Sequence, residues 1–317
     1  MSLDYRKKRV ARMAAAWNGR LLNSLFMVWR TPDELWADLK RSIGLYVARA
    51  FDLPYVDDEA EFMRRLDARR DYRKNVTPNG GVVPKKEYQL EYNLFLRSWC
   101  NAVRAMIAPQ PDLIRKFRVT PNVRLKFAVE LEENVGRQLD TALPHSDAWV
   151  EGPWGMNCHV PVMGDIERNY LFFYKIRDEA SFSDDFLKNA ASYKDMQWVL
   201  QYYEPDRELR PLVGHINVSD FALIHNTHRE ASCGSRISID TTIVPGEHEV
   251  HPDRMGEYLD TVPRIGETLL VKCHRSVNDA IPDKASAFAH YTTGNLERIS
   301  LLDDGTAANG NSKPPFL

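Results

Sequence analysis

Apolar and charged positions alternate at three- and four-residue steps from the start of the chain to about residue 110, a spacing typical of amphipathic helices. The first apolar stripe consists of Val10, Met13, Ala14, Trp17, Leu21 and Leu25. A later stripe consists of Tyr88, Tyr92, Phe95, Trp99, Ala102, Val103 and Met106. Between them, Thr31-Pro32-Asp33-Glu34 predicts a helix start, with a capping residue, a proline and two acids in the first turn. We therefore predict a helical N-terminal region, 1–115, packed on the rest of the chain.

From about residue 116, short runs of β-branched and aromatic residues stand between turn residues, as expected for an antiparallel β-domain. We predict strands at Val123–Val129, Gln138–His145, Met156–Val162, Asn169–Ile176, His215–Val218, Phe221–His225, Ser235–Val244 and Thr268–Lys272. About eight short strands with helices outside favour an α+β fold with a mainly β core, a double-stranded β-helix (jelly roll, cupin-like) over 116–302. The stretch 178–205 is predicted to be loop with some helix. The Gly-, Asn- and Pro-rich segment 303–317 is predicted to be a flexible tail.

Composition narrows the class of protein. The chain has 317 residues, 44% of them hydrophobic and 27% charged, which is ordinary for a soluble globular protein. A net charge of −2 provides no general field for binding nucleic acid or an anionic membrane. The sequence shows no apolar run long enough to span a membrane, and its basic start lacks the apolar core of a secretory signal. We expect a cytoplasmic protein that acts on a small molecule, and we leave its oligomeric state open.

The four cysteines support the same expectation. Cys100, Cys158, Cys233 and Cys273 are widely separated and form no Cys-x-x-Cys pair. Reduced thiols in a cytoplasmic protein are therefore predicted, rather than a disulfide framework or a structural zinc site.

The candidate chemistry begins at His145-Ser146-Asp147. If this segment is extended, residues i and i+2 project to one face, so the imidazole and the carboxylate could bind the same metal. His225, after the apolar run Phe221–Ile224, would complete a 2-His-1-carboxylate facial triad, which is typical of non-haem Fe(II) oxygenases. A lone His-x-Asp arises often by chance, and a hydrogen-bonded loop histidine is its ordinary alternative. His228 competes with His225 as the distal ligand, since His-x-x-His suits a metal pair on a helix.

A second candidate site follows on the next predicted strand. Alternation places Arg236 and Ser238 on one face and Ile237 and Ile239 on the other. An inward-facing arginine is costly without an anionic partner, and a guanidinium beside a hydroxyl suits a carboxylate. An ion pair between Arg236 and Asp240 is the structural alternative.

Taken together, these motifs resemble the Fe(II)/2-oxoglutarate-dependent oxygenases. The local resemblance is to their streptomycin-biosynthesis-protein-like branch, related to the phytanoyl-CoA-hydroxylase type. It covers about residues 140–245. The segments that carry it are His145-x-Asp147, Gly155–Val162, Asn169–Phe172, His225-Asn226-Thr227 and Arg236-x-Ser238-x-Asp240.

The resemblance implies a site and a reaction. His145, Asp147 and His225 would hold Fe(II), while Arg236 and Ser238 would bind the C5 carboxylate of 2-oxoglutarate and Asn157 would also touch this cosubstrate. O₂ would be consumed and 2-oxoglutarate converted to succinate as a substrate is hydroxylated. Related halogenases carry Gly or Ala in place of the aspartate, so Asp147 argues against halogenation.

The substrate is expected to be a small polar metabolite, such as a sugar, cyclitol or amino-acid-like intermediate of specialised metabolism. Aromatic and polar residues flanking the triad are the candidate substrate contacts: Trp149, Trp154, Arg168, Tyr170 and Arg229. Two alternatives stay open. A cupin-like metal-dependent isomerase or hydrolase would not need Arg236-x-Ser238, and a non-catalytic binding protein on the same barrel would not need all three ligands.

Overall fold

The computed structural model describes residues 1–72, 74–118, 121–130, 138–246, 258–259, 267–279 and 295–302. The predicted tail, 303–317, lies outside these residues. The α-helices are α1 (Leu3–Ala16), α2 (Asp33–Ala50), α3 (Glu59–Ala68), α4 (Gln89–Ile107) and α5 (Ala148–Glu151). Short 3₁₀ helices at Glu179–Ser181, Asp184–Leu187 and Lys194–Tyr202 occupy the stretch predicted as loop with some helix.

Strands enter the chain earlier than the hydrophobic pattern predicts. Helix α1 ends at Ala16, and Asn18 adopts a positive φ of 54° before the chain continues as β1 (Arg20–Asn23) and β2 (Phe26–Arg30). The extension of the first helical stripe to Leu21 and Leu25 is therefore wrong. The run Phe26–Trp29 is buried on both faces, which removes the polar alternation that marks a half-exposed strand.

The remaining strands are antiparallel and form three sheets. They are β3 (Ile114–Arg118), β4 (Asn122–Lys126), β5 (Met156–Gly164), β6 (Asn169–Ile176), β7 (Tyr203–Asp206), β8 (His215–Asp220), β9 (Ile224–Arg229), β10 (Arg236–Pro245), β11 (Tyr258–Leu259), β12 (Glu267–Cys273) and β13 (Leu296–Leu302). The large sheet has the order β1-β2-β8-β5-β10-β3-β11, with β4 also paired to β10. The small sheet has the order β7-β6-β9, and β12 pairs with β13.

Most of the predicted strands are confirmed, and two are corrected. Gln138–His145 is not a strand: the Asp140 carboxylate accepts a hydrogen bond from the Ala142 amide in a local turn, and only His145 forms a bridge. Phe221–His225 is also wrong, because a turn closed by the Leu223 amide on the Asp220 carbonyl delays the strand to Ile224. Local side-chain and turn hydrogen bonds compete with the sheet at both places.

The two main sheets pack against each other, and from β5 onward the chain passes between them: β5, β8 and β10 lie in the large sheet, and β6, β7 and β9 lie in the small one. Phe26 of the large sheet meets Phe173 of the small one edge to face, with ring centroids 5.2 Å apart. The opposite face of the large sheet, including Ile237 and Ile239, packs in one apolar cluster with residues of α1, α2, α3 and α4. The sheet therefore has an apolar face toward the helices and an inner face that is free to carry polar groups.

Two further findings bear on the class of protein. The structure contains no helix, among its described residues, that is long and apolar enough to cross a membrane. All four cysteines are buried as free thiols, as the sequence predicts.

Candidate metal centre

His145 and His225 are brought together by the backbone. The amide of each residue donates to the carbonyl of the other, at 2.8 and 2.9 Å, in an isolated antiparallel bridge. Residues paired in this way project to the same side of a sheet, and the two imidazole centroids lie 4.5 Å apart. The irregular segment before His145 therefore positions its ligand by joining the edge of β9.

Asp147 turns back toward these two rings. The Ser146 hydroxyl donates to the Phe221 carbonyl at 2.7 Å and accepts a hydrogen bond from the Ala148 amide, which fixes the turn between the two candidate ligands. An Asp147 carboxylate oxygen lies 4.0 Å from His145 Nε2, and the other lies 3.8 Å from His225 Nε2. One candidate ligand atom from each of the three residues lies within 4.8 Å of the others. The structure thus brings together the three residues that the sequence selects.

His145 has the tautomer that a metal ligand requires. Its Nδ1 lies 2.8 Å from the Leu143 carbonyl oxygen, and because a carbonyl only accepts, Nδ1 must carry the proton. The Nε2 lone pair is then left toward Asp147 and His225, as in other metal sites with an oriented imidazole. Burial and the adjacent His225 hold the His145 pKa well below its usual value, which favours the neutral ring. Tyr193 stacks on the ring with centroids 4.3 Å apart and an interplanar angle of 16°.

The Asp147 carboxylate is held by Asn157, for which the sequence predicted a different role. Asn157 Nδ2 donates to Asp147 Oδ2 at 2.7 Å and approaches Asp240 Oδ1 at 3.4 Å. These hydrogen bonds use only the amide nitrogen of Asn157, its Oδ1 has no hydrogen-bond partner among the described residues, and its contact with the cosubstrate stays a prediction. Burial and the negative charge of Asp240 raise the Asp147 pKa, a shift that a bound divalent cation would oppose.

The strand register decides between the two candidate distal histidines. His225 and Thr227 are two residues apart on β9 and share its inner face, whereas His228 projects to the outer face. There His228 packs beside the rings of Tyr170 and Phe172, with centroids 5.2 and 5.8 Å away. His225 is therefore the histidine that the fold presents to Asp147.

Arg236 and Ser238 lie on the inner face of β10, as the alternation predicts. Both are buried, and neither Arg236 Nε nor Ser238 Oγ has a hydrogen-bond partner among the described residues. Asp240 forms its ion pair with Arg124, whose Nε lies 2.5 Å from Asp240 Oδ2, and not with Arg236 as the structural alternative proposed. Burial and the nearby positive charge of Arg229 lower the pKa of Arg236 to about 9. A buried guanidinium with an unbonded nitrogen indicates a place for an anion.

The predicted substrate contacts occupy several different environments. Trp149 is fully buried and donates its indole N–H to the Phe186 carbonyl at 2.6 Å, and Tyr170 lies on the outer face with the Arg210 guanidinium 3.7 Å from its ring centroid. Arg168 pairs with Asp165 at the turn between β5 and β6. Packing and local pairing engage these three side chains in the structure, and their contact with a substrate stays a prediction.

The other two predicted contacts remain accessible or inward-facing. Trp154 is 36% exposed, and its carbonyl accepts a hydrogen bond from Arg9 at 3.0 Å. Arg229 lies on the inner face of β9, where it forms an ion pair with Glu130 and donates to the Phe127 carbonyl. Arg229 thus belongs to the polar interior of the barrel.

Sequence reasoning missed several residues of this interior. Arg124 and Lys126 are adjacent to the site on β4, opposite Ser238 and Arg236 respectively in the strand register. Their period-two spacing in Asn122–Lys126 was a usable signal for a polar face. Tyr193 offered no local signal, since it reaches His145 from a distant loop.

Comparison with known proteins gives structural neighbours only. No protein-family model matches the chain, and no curated protein matches it. Among solved structures, the chain is similar to the non-haem alpha-ketoglutarate-dependent epimerase SnoN from nogalamycin biosynthesis. That match has 14% identity, covers 75% of this chain and 83% of that chain, and has a TM-score of 0.42.

Two other neighbours are an N-substituted L-amino acid dioxygenase from Burkholderia ambifaria and HygX from Streptomyces hygroscopicus with nickel and 2-oxoglutarate bound. The first has 9% identity, 75% and 87% coverage of the two chains and a TM-score of 0.36. The second has 13% identity, 76% and 86% coverage and a TM-score of 0.30. Each of the three matches lies below 25% identity and below a TM-score of 0.5. At such scores the functional conclusion has to rest on the site itself.

Proposed function

We propose that this protein is an Fe(II)- and 2-oxoglutarate-dependent oxygenase that hydroxylates a small polar metabolite. The observation that carries the proposal is the pairing of two features on the inner barrel wall. One is the cluster of His145, Asp147 and His225, and the other is the buried Arg236 with no hydrogen-bond partner for its Nε among the described residues. A facial triad alone fits several metals, but the unpaired guanidinium adds a demand for an anion.

The residues fit both groups. Two neutral imidazoles and one carboxylate are the donor set of non-haem Fe(II) sites that keep open positions. The Arg236 guanidinium and the Ser238 hydroxyl can donate to one carboxylate, and both have unused hydrogen-bonding capacity. When bound, Fe(II) with 2-oxoglutarate and O₂ supplies the oxidation, with 2-oxoglutarate decarboxylated to succinate.

The protein's own contribution is orientation. The bridge between His145 and His225 fixes two ligands, the Leu143 carbonyl selects the tautomer of His145, and Asn157 holds the third ligand. Asp147 occupies the position that related halogenases leave to Gly or Ala, so hydroxylation is favoured over halogenation. A sugar, cyclitol or amino-acid-like substrate of specialised metabolism is proposed because the accessible groups near the centre, Asp240 and Arg124, are polar and of opposite charge.

The experiment is anaerobic addition of Fe(II) and then 2-oxoglutarate to the protein. A weak visible charge-transfer band that needs both components is expected, followed on O₂ admission by formation of succinate. A band without succinate, with candidate substrates present, would favour a non-catalytic binding protein. Metal binding without any band or 2-oxoglutarate affinity would favour a cupin-like isomerase or hydrolase and overturn the proposal.

A further inference from the structure

The buried cations of the protein are satisfied in two different ways. The described part of the chain buries the charged side chains of Arg6, Arg9, Lys85, Lys126 and Arg236. Arg6 and Arg9 both donate to the Asp220 carboxylate, at 2.9 and 2.5 Å. Lys85 donates to two backbone carbonyls, those of Ser276 and Asp279, at 2.9 and 2.8 Å. These three cations have the partners that buried charges normally require.

Lys126 and Arg236 are different. They are direct partners across β4 and β10, so their side chains share the inner face at the closest cross-strand spacing. Lys126 Nζ donates to the neutral Thr141 hydroxyl at 2.8 Å, and no acidic side chain forms an ion pair with Lys126 or Arg236 among the described residues. The two nearby acids are engaged elsewhere, Asp240 by Arg124 and Glu130 by Arg229. Two buried like charges opposite each other are unfavourable unless an anion joins them.

We propose that Lys126 is a second anchor for the distal carboxylate of 2-oxoglutarate, and that cosubstrate binding is coupled to protonation of its side chain. This inference rests on the proposed function. A carboxylate offers about four lone-pair positions, more than Arg236 and Ser238 fill from one strand. An ammonium group directly across the strand pair from Arg236 adds a donor from β4 on the other side of the same anion.

The surroundings of Lys126 explain the coupling. The charged groups that face it are Arg124 on its own strand, Arg236 on β10, Arg229 on β9 and Glu130 just after β4. Burial and the three arginines hold the Lys126 pKa well below its usual value, and only Glu130 opposes them. A bound dicarboxylate would add negative charge at this point and raise the pKa again. Since protonated Lys126 is the form that binds the anion, binding takes up a proton in the pH range between the free and bound pKa values.

The affinity for 2-oxoglutarate should therefore fall as pH rises. Below the free-state pKa of Lys126 the lysine is already charged, and affinity for 2-oxoglutarate is at its maximum. As pH rises above that value, the dissociation constant increases by up to about tenfold per pH unit, until the pKa of the complex is reached.

The test is calorimetric titration of the Mn(II)-loaded protein with 2-oxoglutarate, in buffers of equal pH but different ionisation enthalpy. For the wild type we expect proton uptake that approaches about one per site as pH rises through the coupled range. Lys126→Met should weaken binding about tenfold or more and abolish the uptake. Lys126→Arg keeps a permanent charge, so it should recover affinity relative to Lys126→Met while showing no uptake. Lys85→Met is the matched control, a buried lysine outside the site, and should leave affinity and uptake unchanged; the exposed Lys175→Met serves if that variant does not fold.

The outcomes separate this inference from the proposed function. An unchanged dissociation constant in Lys126→Met, or equal proton uptake by wild type and Lys126→Met, overturns the role of Lys126 while 2-oxoglutarate binding stands. A wild-type protein that binds Mn(II) but not 2-oxoglutarate overturns both. Absence of proton uptake in the wild type also overturns the coupling, and that measurement needs no variant.

Discussion

Removing the Asn157 side chain amide tests how the metal-binding carboxylate is oriented. Asn157 Nδ2 lies 2.7 Å from Asp147 Oδ2, which leaves Oδ1 as the less engaged oxygen beside His145. Asn157→Ala deletes this donor without touching any of the three candidate ligands. The Asp147 carboxylate then gains rotational freedom, and its affinity for a divalent metal should fall.

The magnitude can be estimated from the hydrogen bond. A bond to a charged group contributes about 1.5–3 kcal/mol, which corresponds to about ten- to 150-fold in an equilibrium constant. Loss of an outer-shell partner of a metal ligand typically costs about 10–100-fold in metal affinity. The Asp147 side chain is 22% exposed, so water can replace part of the lost bond. We therefore expect a loss near the lower limit, about tenfold.

The assay is Mn(II) or Co(II) binding by the cosubstrate-free protein, so the readout does not depend on turnover. Asn226→Ala is the matched control, because Asn226 adjoins His225 in sequence but projects to the other face of β9 and donates to the Ala142 carbonyl. Its metal affinity should match that of the wild type. Unchanged metal affinity in Asn157→Ala, or an equal loss in both variants, would refute the orienting role.

Four further variants test other parts of the site and fold. His225→Ala should abolish the Co(II) spectrum of the site while His228→Ala keeps it, because only His225 faces Asp147; a retained spectrum in His225→Ala would contradict the ligand set. Arg236→Met should weaken 2-oxoglutarate binding about a hundredfold or more in the charge-transfer titration. The same variant should raise the Tm of the ligand-free protein, because an unpaired buried cation is removed, and a lowered Tm would argue that Arg236 is structural. Asp220→Asn should cost about 3–5 kcal/mol of unfolding free energy in urea denaturation, since it leaves two buried arginines without their carboxylate; a cost below about 1 kcal/mol would contradict the pairing.

The strands that carry the candidate site were predictable because the alternation of their side chains places the candidate ligand and anion-binding residues on one face. On β10, polar and apolar residues alternate without interruption from Arg236 to Asp240, so a period of two fixes both the strand and the inner face. On β9 the same period separates His225 from His228. The sequence favours His225 over His228 as the distal metal ligand, but only the strand register excludes a His-x-x-His pair on a helix.

In other segments the structure depends on contacts between residues far apart in the chain, which the local sequence does not reveal. β2 pairs with β8, a partner far along the chain, and β1 in turn pairs with β2; the two-sided burial of Phe26–Trp29 hides the alternation of β2. The segment before His145 is predicted to be a strand, yet the turn closed by the Leu143 amide on the Asp140 carbonyl leaves His145 as its one bridged residue. Lys126 and Tyr193 join the site across strands and loops, so their roles depend on register and packing that composition does not encode.

The two faces of the large sheet have opposite effects on stability. The outer face buries Ile237, Ile239 and their neighbours against the helices, where apolar area removed from water stabilises the fold. The inner face of the same strands holds Arg236 without a hydrogen-bond partner for its Nε among the described residues, and opposite Lys126, an arrangement that opposes folding. A sheet selected for stability alone would have apolar or paired residues on both faces. The unfavourable arrangement lies on the inner face, which also carries Asn157 and Asp240. Binding of an anion and a cation at this face would stabilise the buried charges there.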